Sequence, residues 1–199
     1  MEIKRAIEFG DNIREKISEL FVDAYRKDLG SFSKDREKLV KAFTHMFVLE
    51  YFYLAIIDNE IAGMTVCIDK DHFCINHNKK ILIKNLGIIR GLLANIVCKH
   101  YFNKYPKYPM KMDEKTASIE FVATNTKYRK RGVASGIMNY LFSLSEYDEY
   151  VLEVADTNTN AFELYKKLGY KEICRKELRF GRKYSGINYL VYMKYSKTI

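Results

Sequence analysis

The tightest constraint on how this chain folds is the hexapeptide Arg129-Lys130-Arg131-Gly132-Val133-Ala134, which stands between two apolar stretches of different period. Upstream, Ile119-Glu120-Phe121-Val122-Ala123 has the β-branched and aromatic character of a strand. Downstream, Val133, Ile137, Met138, Leu141, Phe142 and Leu144 recur at helical spacing. The basic segment between them is therefore predicted to be a strand-to-helix turn. The first N–H groups of such a helix lack intrahelical partners and lie at the positive end of its dipole, so main chain alone can hold an anion of the pyrophosphate type. Gly132 has no Cβ to keep that anion at a distance.

The rest of the chain alternates between strand and helix patterns. Ile3 to Phe9 is a strand candidate, and Asp11 is placed to cap a helix carrying Ile13, Ile17, Leu20, Phe21 and Ala24. After a break at Leu29-Gly30-Ser31, a second helix is expected from about Lys34 to Phe47. Tyr51–Ile57 and Ile61–Ile68 read as antiparallel strands joined by the polar turn Asp58-Asn59-Glu60. Tyr150–Ala155 reads as a buried strand, and Thr159–Leu168 as a helix that Gly169 ends. Lys171–Phe180 and Ile187–Tyr195 form a closing hairpin around the turn Gly181–Gly186.

One stretch stands apart. From His72 to Met112 there is no Asp or Glu but eight Lys and Arg, together with both prolines of the chain, Pro106 and Pro109. The pairs Ile88-Ile89, Leu92-Leu93 and Ile96-Val97 recur every four residues and predict an apolar helix, and Tyr101 to Pro106 an aromatic-rich loop. The region around 70–115 is thus a basic insertion, either lining an acceptor site, binding an acidic partner or packing as a connector.

At 199 residues and 48% hydrophobic content the chain can bury roughly 70% of its unfolded surface, so a single domain spanning 1–199 is expected. The net charge of +9 is spread along the sequence and belongs to the folded surface, where it suits phosphates, acidic partners, RNA or simple solubility. Cys67, Cys74, Cys98 and Cys174 form no C-x-x-C pair, so no metal site is expected and buried free thiols in a reducing compartment are the simplest account. The start Met-Glu-Ile-Lys has no apolar signal core and no apolar run approaches membrane-spanning length, so a cytoplasmic protein without a membrane partner is expected.

Arg129-x-x-Gly132-x-Ala134 resembles the Gln/Arg-x-x-Gly-x-Gly/Ala signature of the GNAT superfamily of acetyl-CoA-dependent N-acetyltransferases. A second match follows in the same order: Asn158-x-x-Ala161-x-x-Leu164-Tyr165-x-x-Leu168-Gly169-Tyr170 is similar to that family's later helix and its Gly-Phe/Tyr exit. The resemblance covers about Ile119 to Tyr170 and extends to the N-terminal third only in its order of elements. It implies an α/β (α+β) fold with a mixed, mostly antiparallel sheet flanked by helices and splayed between its fourth and fifth strands. It also implies transfer of an acetyl group from acetyl-CoA to a primary amine by direct attack on the thioester.

Site residues follow from the resemblance. The turn Arg129, Lys130, Arg131, Gly132, Val133 and Ala134 would hold the pyrophosphate; Val122, Ala123 and Thr124 would meet the pantetheine arm and the thioester oxygen through their backbone; Asn158 and Ala161 would contact the coenzyme. Tyr165 is the candidate acid for the departing thiolate, against a place in the core, and Asn158 could equally be a helix cap. Glu120 is the candidate base, against an ordinary solvent-facing strand glutamate. His45, His72, His77 and His100 receive no role. The acceptor is a small-molecule or protein amine; nucleic acid and a homodimer are further partners the sequence admits. A non-catalytic acyl-CoA sensor, or an RNA- or partner-binding module on the same fold, is the alternative.

Overall fold

The computed structural model describes residues 1–102, 108–178 and 185–197. The strands are β1 (Glu2–Arg5), β2 (Phe52–Ile57), β3 (Glu60–Ile68), β4 (Thr116–Thr124), β5 (Glu149–Ala155), β6 (Lys171–Glu177) and β7 (Tyr189–Ser196). The helices are α1 (Arg14–Ala24), α2 (Arg26–Leu29), α3 (Arg36–Phe43), α4 (Lys79–Leu86), α5 (Ile88–Phe102), α6 (Val133–Ser143) and α7 (Thr159–Lys167). The strands form a sheet in the order β1-β2-β3-β4-β5-β7-β6. Only β4 and β5 are parallel; the other neighbours are antiparallel. The last two strands do form a hairpin, but the later one enters the sheet beside β5 and leaves β6 at the edge.

Apolar residues on the two faces of the sheet make two cores. Leu54, Met64, Val66 and Ile68 pack with α1, α3, α4 and α5 residues such as Phe21, Leu39, Leu82 and Cys98. Ala62, Cys67, Ala117, Ile119, Leu152 and Met193 pack on the other side with Val133, Ile137 and Leu141 of α6 and Tyr165 of α7. On the α1 side, Tyr108 lies over Val151 and Tyr192 with its ring edge-on to that of Tyr192 at 5.9 Å.

The β2–β3 turn puts Asp58 at φ 51° and Asn59 at φ 59°, the left-handed pair that matches the twist of a two-residue hairpin and that Asp and Asn tolerate best. Glu60 therefore belongs to the strand, paired with Ile57. At its N-terminus α3 has Asp35, whose carboxylate accepts from the Lys38 N–H. It stops at Phe43, short of the expected Phe47, because the chain bends at Thr44 to pair Phe47 with Ile75.

Several expectations are corrected. The strand over Ile3–Phe9 ends at Arg5; Ala6–Phe9 is a 3-10 turn in which the Arg5 N–H is taken by the Glu8 carboxylate and Ala6 is fully buried. Asp11 does not cap α1. It lies in a separate 3-10 turn and accepts from Arg14 Nε at 2.6 Å. Cys174 is only half-buried, unlike the other three thiols. Tyr101 and Phe102 are the end of α5 rather than loop, while 103–107, the rest of the expected aromatic segment, lie outside the described residues, as do 179–184 of the last turn.

Candidate active site

The site is built where two parallel strands part. β4 and β5 pair from Thr116 with Glu149 to Ile119 with Leu152 and no further. Beyond that point β4 continues against β3, and β5 continues against β7. A notch therefore opens in the middle of the sheet, walled by the last residues of β4.

A β-bulge shapes that wall. Met64 pairs with Ala123 and Val66 with Glu120, so the one residue between them on β3, Thr65, faces both Phe121 and Val122. Phe121 absorbs the extra residue with φ of 50°, an uncommon conformation for a bulky side chain that costs on the order of 1–3 kcal/mol. The buried Thr65 hydroxyl donates to the Glu120 carbonyl at 3.0 Å and pins the irregularity. The Phe121 ring offsets its backbone cost by packing edge-on against Phe21 at 5.4 Å and Tyr25 at 6.0 Å and parallel to Phe52.

The bulge also breaks the alternation that made Glu120 look ordinary. Phe121, like Glu120, is directed to the α1 face, and Val122 to the α6 face. Glu120 is half-buried rather than solvent-facing. The Ser118 hydroxyl lies 3.1 Å from Glu120 Oε1 and 3.2 Å from the Ile68 carbonyl, so its proton is shared between them. The Cys74 thiol donates to Glu120 Oε2 at 3.6 Å. Tyr108 stands by as well: burial drives its phenol pKa up, and the Glu120 charge adds to the rise.

Tyr165, on α7, packs in the core on the opposite face of the sheet. It is buried, and burial holds its phenol well above the ordinary tyrosine range, so it keeps its proton throughout the physiological range. Tyr25, at the end of α1, connects the two sides. Its phenol is raised first by burial and then by the charges of Tyr165, Asp28 and Glu120, which places it within electrostatic reach of both candidate groups.

At the far end of β4 the expected strand-to-helix turn is present. Thr126–Tyr128 make a 3-10 turn capped by Asn125, whose side chain accepts from the Lys127 N–H at 3.0 Å. Lys130 and Gly132 both have positive φ, 60° and 73°, and α6 starts at Val133. Such a turn ahead of a helix start directs successive N–H groups outward, the arrangement that receives a phosphate. Nothing lies within 4 Å of where a Gly132 Cβ would stand. Glycine is thus required there by the left-handed backbone and by open space in front of the turn, not by crowding from the protein.

The arginines of the turn diverge. Arg131 lies over the Tyr128 ring at 5.6 Å, and the Tyr128 hydroxyl donates to Glu60, which also pairs with Lys127 at 2.7 Å. Arg129 lines a groove of about 480 Å³ with Lys16, Asp23, Arg36, Glu60 and Thr124. In that groove Arg36 is held by Asp23, with Nε and Oδ1 2.7 Å apart. Asn158 is the cap of α7, its side chain accepting from the Ala161 N–H at 3.3 Å, and Ala161 is half-buried in the α6-side core. Among the described residues, no three His, Cys, Asp or Glu side chains gather to hold a metal ion, and no helix is long and apolar enough to cross a membrane.

The structure therefore places Glu120, Val122, Ala123 and Thr124 on the length of β4 that has left β5, Arg129 to Ala134 in the turn and helix start beyond it, and Tyr165 in the core on the α6 side. Sequence reasoning missed Tyr25, Cys74, Tyr108 and Ser118. The only sequence trace of Cys74 and Tyr108 is that they lie in the acid-free segment.

The sheet thus opens between two parallel strands, with a glycine-bearing turn at the end of one of them. The model of the acetyltransferase (GNAT) family matches residues 14–170, and the chain belongs to that family. Solved structures agree in fold. An N-acetyltransferase from Staphylococcus aureus Mu50 superposes with a TM-score of 0.62 at 16% identity, over 98% of this chain and 100% of that one. A ribosomal-protein-alanine N-acetyltransferase from Brucella melitensis gives 0.57 at 11%, over 99% and 100%. Aminoglycoside 6'-acetyltransferase type Ii gives 0.58 at 13%, over 98% and 97%. No curated protein matches the chain in sequence.

Proposed function

We propose that this enzyme transfers the acetyl group of acetyl-CoA to a primary amine that docks on the α1 side of the notch. The observation that carries the proposal is the parting of β4 from β5 after Ile119, with Glu120 on one face and a protonated Tyr165 behind the other. Acetyl-CoA supplies an activated thioester. The backbone N–H groups of Arg131 to Ala134 would hold its pyrophosphate, with Arg129 adding charge, and the backbone of Val122, Ala123 and Thr124 would pair with the pantetheine arm as an added strand does. A donor at Val122 or Ala123 would stabilise negative charge growing on the thioester oxygen once water is excluded.

Protons move at two atoms. The acceptor's ammonium loses one to Glu120, directly or through a water, the free amine forms a C–N bond as the C–S bond breaks, and the bonded nitrogen then gives up its second proton to water. The Tyr165 hydroxyl hands a proton to the departing sulfur and recovers one from solvent. The acceptors in the names of two of the similar structures, a ribosomal-protein alanine and an aminoglycoside, differ widely, and the class proposed for this chain goes no further than a primary amine.

Calorimetry with acetyl-CoA tests the donor, and coenzyme A release against a panel of amines tests the transfer. Wild type should bind with a dissociation constant in the range of about 1 µM to 1 mM. Gly132→Asp, which puts a carboxylate where the pyrophosphate would sit, should abolish that heat while remaining folded. No binding by wild type would overturn the proposal. Binding without amine-dependent thiol release would favour an acyl-CoA sensor.

A further inference from the structure

The outer face of α5 is built inside out. Toward α4 and the core the helix presents its small residues: Ala94 and Cys98 are buried, and Gly91 sits so close to α4 that an added Cβ would lie 2.5 Å from the Ile83 Cα. Four of its large apolar residues face solvent instead, with Ile88 70%, Ile89 83%, Leu93 44% and Ile96 63% exposed. Ile89, Leu93 and Ile96 fall at i, i+4 and i+7, one stripe along the helix. Exposed cations lie at both ends: Lys79, Lys80 and Lys84 on α4 and Arg90 near the start of α5, then Lys99 toward its other end. The sequence from His72 to Met112 supplies no carboxylate to neutralise them.

From this we propose that α5 docks the enzyme on an anionic lipid surface, its isoleucines and Leu93 entering the headgroup boundary and the flanking lysines and Arg90 meeting lipid phosphates. Two observations single out this occupant. A fifteen-residue helix is about 22 Å long and presents a stripe about 10 Å wide, roughly 220 Å², well short of the ~800 Å² per partner of a stable protein interface. A second copy seated on the same face would also bring one acid-free basic segment against another. A lipid surface needs no complementary groove for a convex stripe, and it supplies the missing negative charge. This contact is peripheral and needs no membrane-spanning helix.

Co-sedimentation with phosphatidylcholine vesicles, with and without phosphatidylglycerol, tests the proposal on the full chain. Wild type should bind the phosphatidylglycerol vesicles and not phosphatidylcholine alone, with binding weakened by salt. Ile89→Glu/Ile96→Glu and Arg90→Glu/Lys99→Glu should each lower that binding by at least about tenfold with the thermal midpoint unchanged, since all four side chains are exposed. Failure of wild type to bind would overturn the proposal, as would variants that bind like wild type. So would a concentration-dependent dimer that Ile89→Glu/Ile96→Glu dissolves without any vesicle binding, or binding to polyglutamate in place of vesicles; these would assign the face to a second copy or to an acidic protein.

Discussion

Glu120 gains its position from neighbours that are distant in sequence. Ser118 is two residues away on the same strand, but Cys74 comes from the loop before α4. If Glu120 removes the acceptor's proton, Glu120→Gln should lower kcat by about 10²- to 10⁴-fold and leave acetyl-CoA binding intact, which steady-state kinetics beside calorimetry would show. Cys74→Ala removes one hydrogen bond that holds the carboxylate, a loss of about 1 kcal/mol, so kcat should fall roughly fivefold. Cys74→Ser should restore most of that rate; if alanine and serine behave alike, the thiol merely fills space. Little of this was legible in the sequence. Nothing in Ile119-Glu120-Phe121-Val122 announces a left-handed phenylalanine, because the bulge is held by Thr65 across the strand and by Phe21, Tyr25 and Phe52, none of them local.

At the scale of elements the sequence was a better guide. The β4-turn-α6 unit and α7 follow from short-range rules: periodicity, a glycine with φ of 73° before one helix and another with φ of 93° after the other. Asn158 shows how far such rules reach, since its cap bond to Ala161 is local chemistry, whereas a coenzyme contact would be a long-range one. The misread elements were those whose partners decide them. Ile3–Phe9 alternates like a strand, yet β1 has β2 to pair with for four residues only, and Glu8 then closes a turn on Arg5. The periodic pairs of α5 predicted the helix but not which side would be buried; that depends on Gly91 admitting the α4 backbone. Gly91→Ala should therefore destabilise the fold by about 1–3 kcal/mol although alanine is the better helix former, measurable by urea denaturation.

For the whole molecule, two half-buried histidines set a dependence on pH. Burial lowers the His45 pKa, with His77 and Arg14 adding to the effect, and burial with the Lys99 charge lowers that of His77. Both imidazoles bind protons less readily folded than unfolded. As pH falls through the unfolded value of roughly 6.5, the unfolded chain takes up more protons and the folded state loses stability. The melting temperature should thus drop between pH 7.5 and pH 5.5, and His45→Gln should flatten part of that drop; a profile unchanged by the substitution would assign it to other groups.

The opening between β4 and β5 also divides the polypeptide in chain order. Strands β1 to β4 lie on one bank and β5 to β7 on the other, with α6 bridging them where the Tyr150 hydroxyl donates to the Leu141 carbonyl. Four residue pairs are the whole ladder across that divide. If acetyl-CoA lies in that opening as proposed, it supplies the missing rungs, and a chain nicked between Ser143 and Glu149 should yield two fragments whose reassembly depends on the coenzyme.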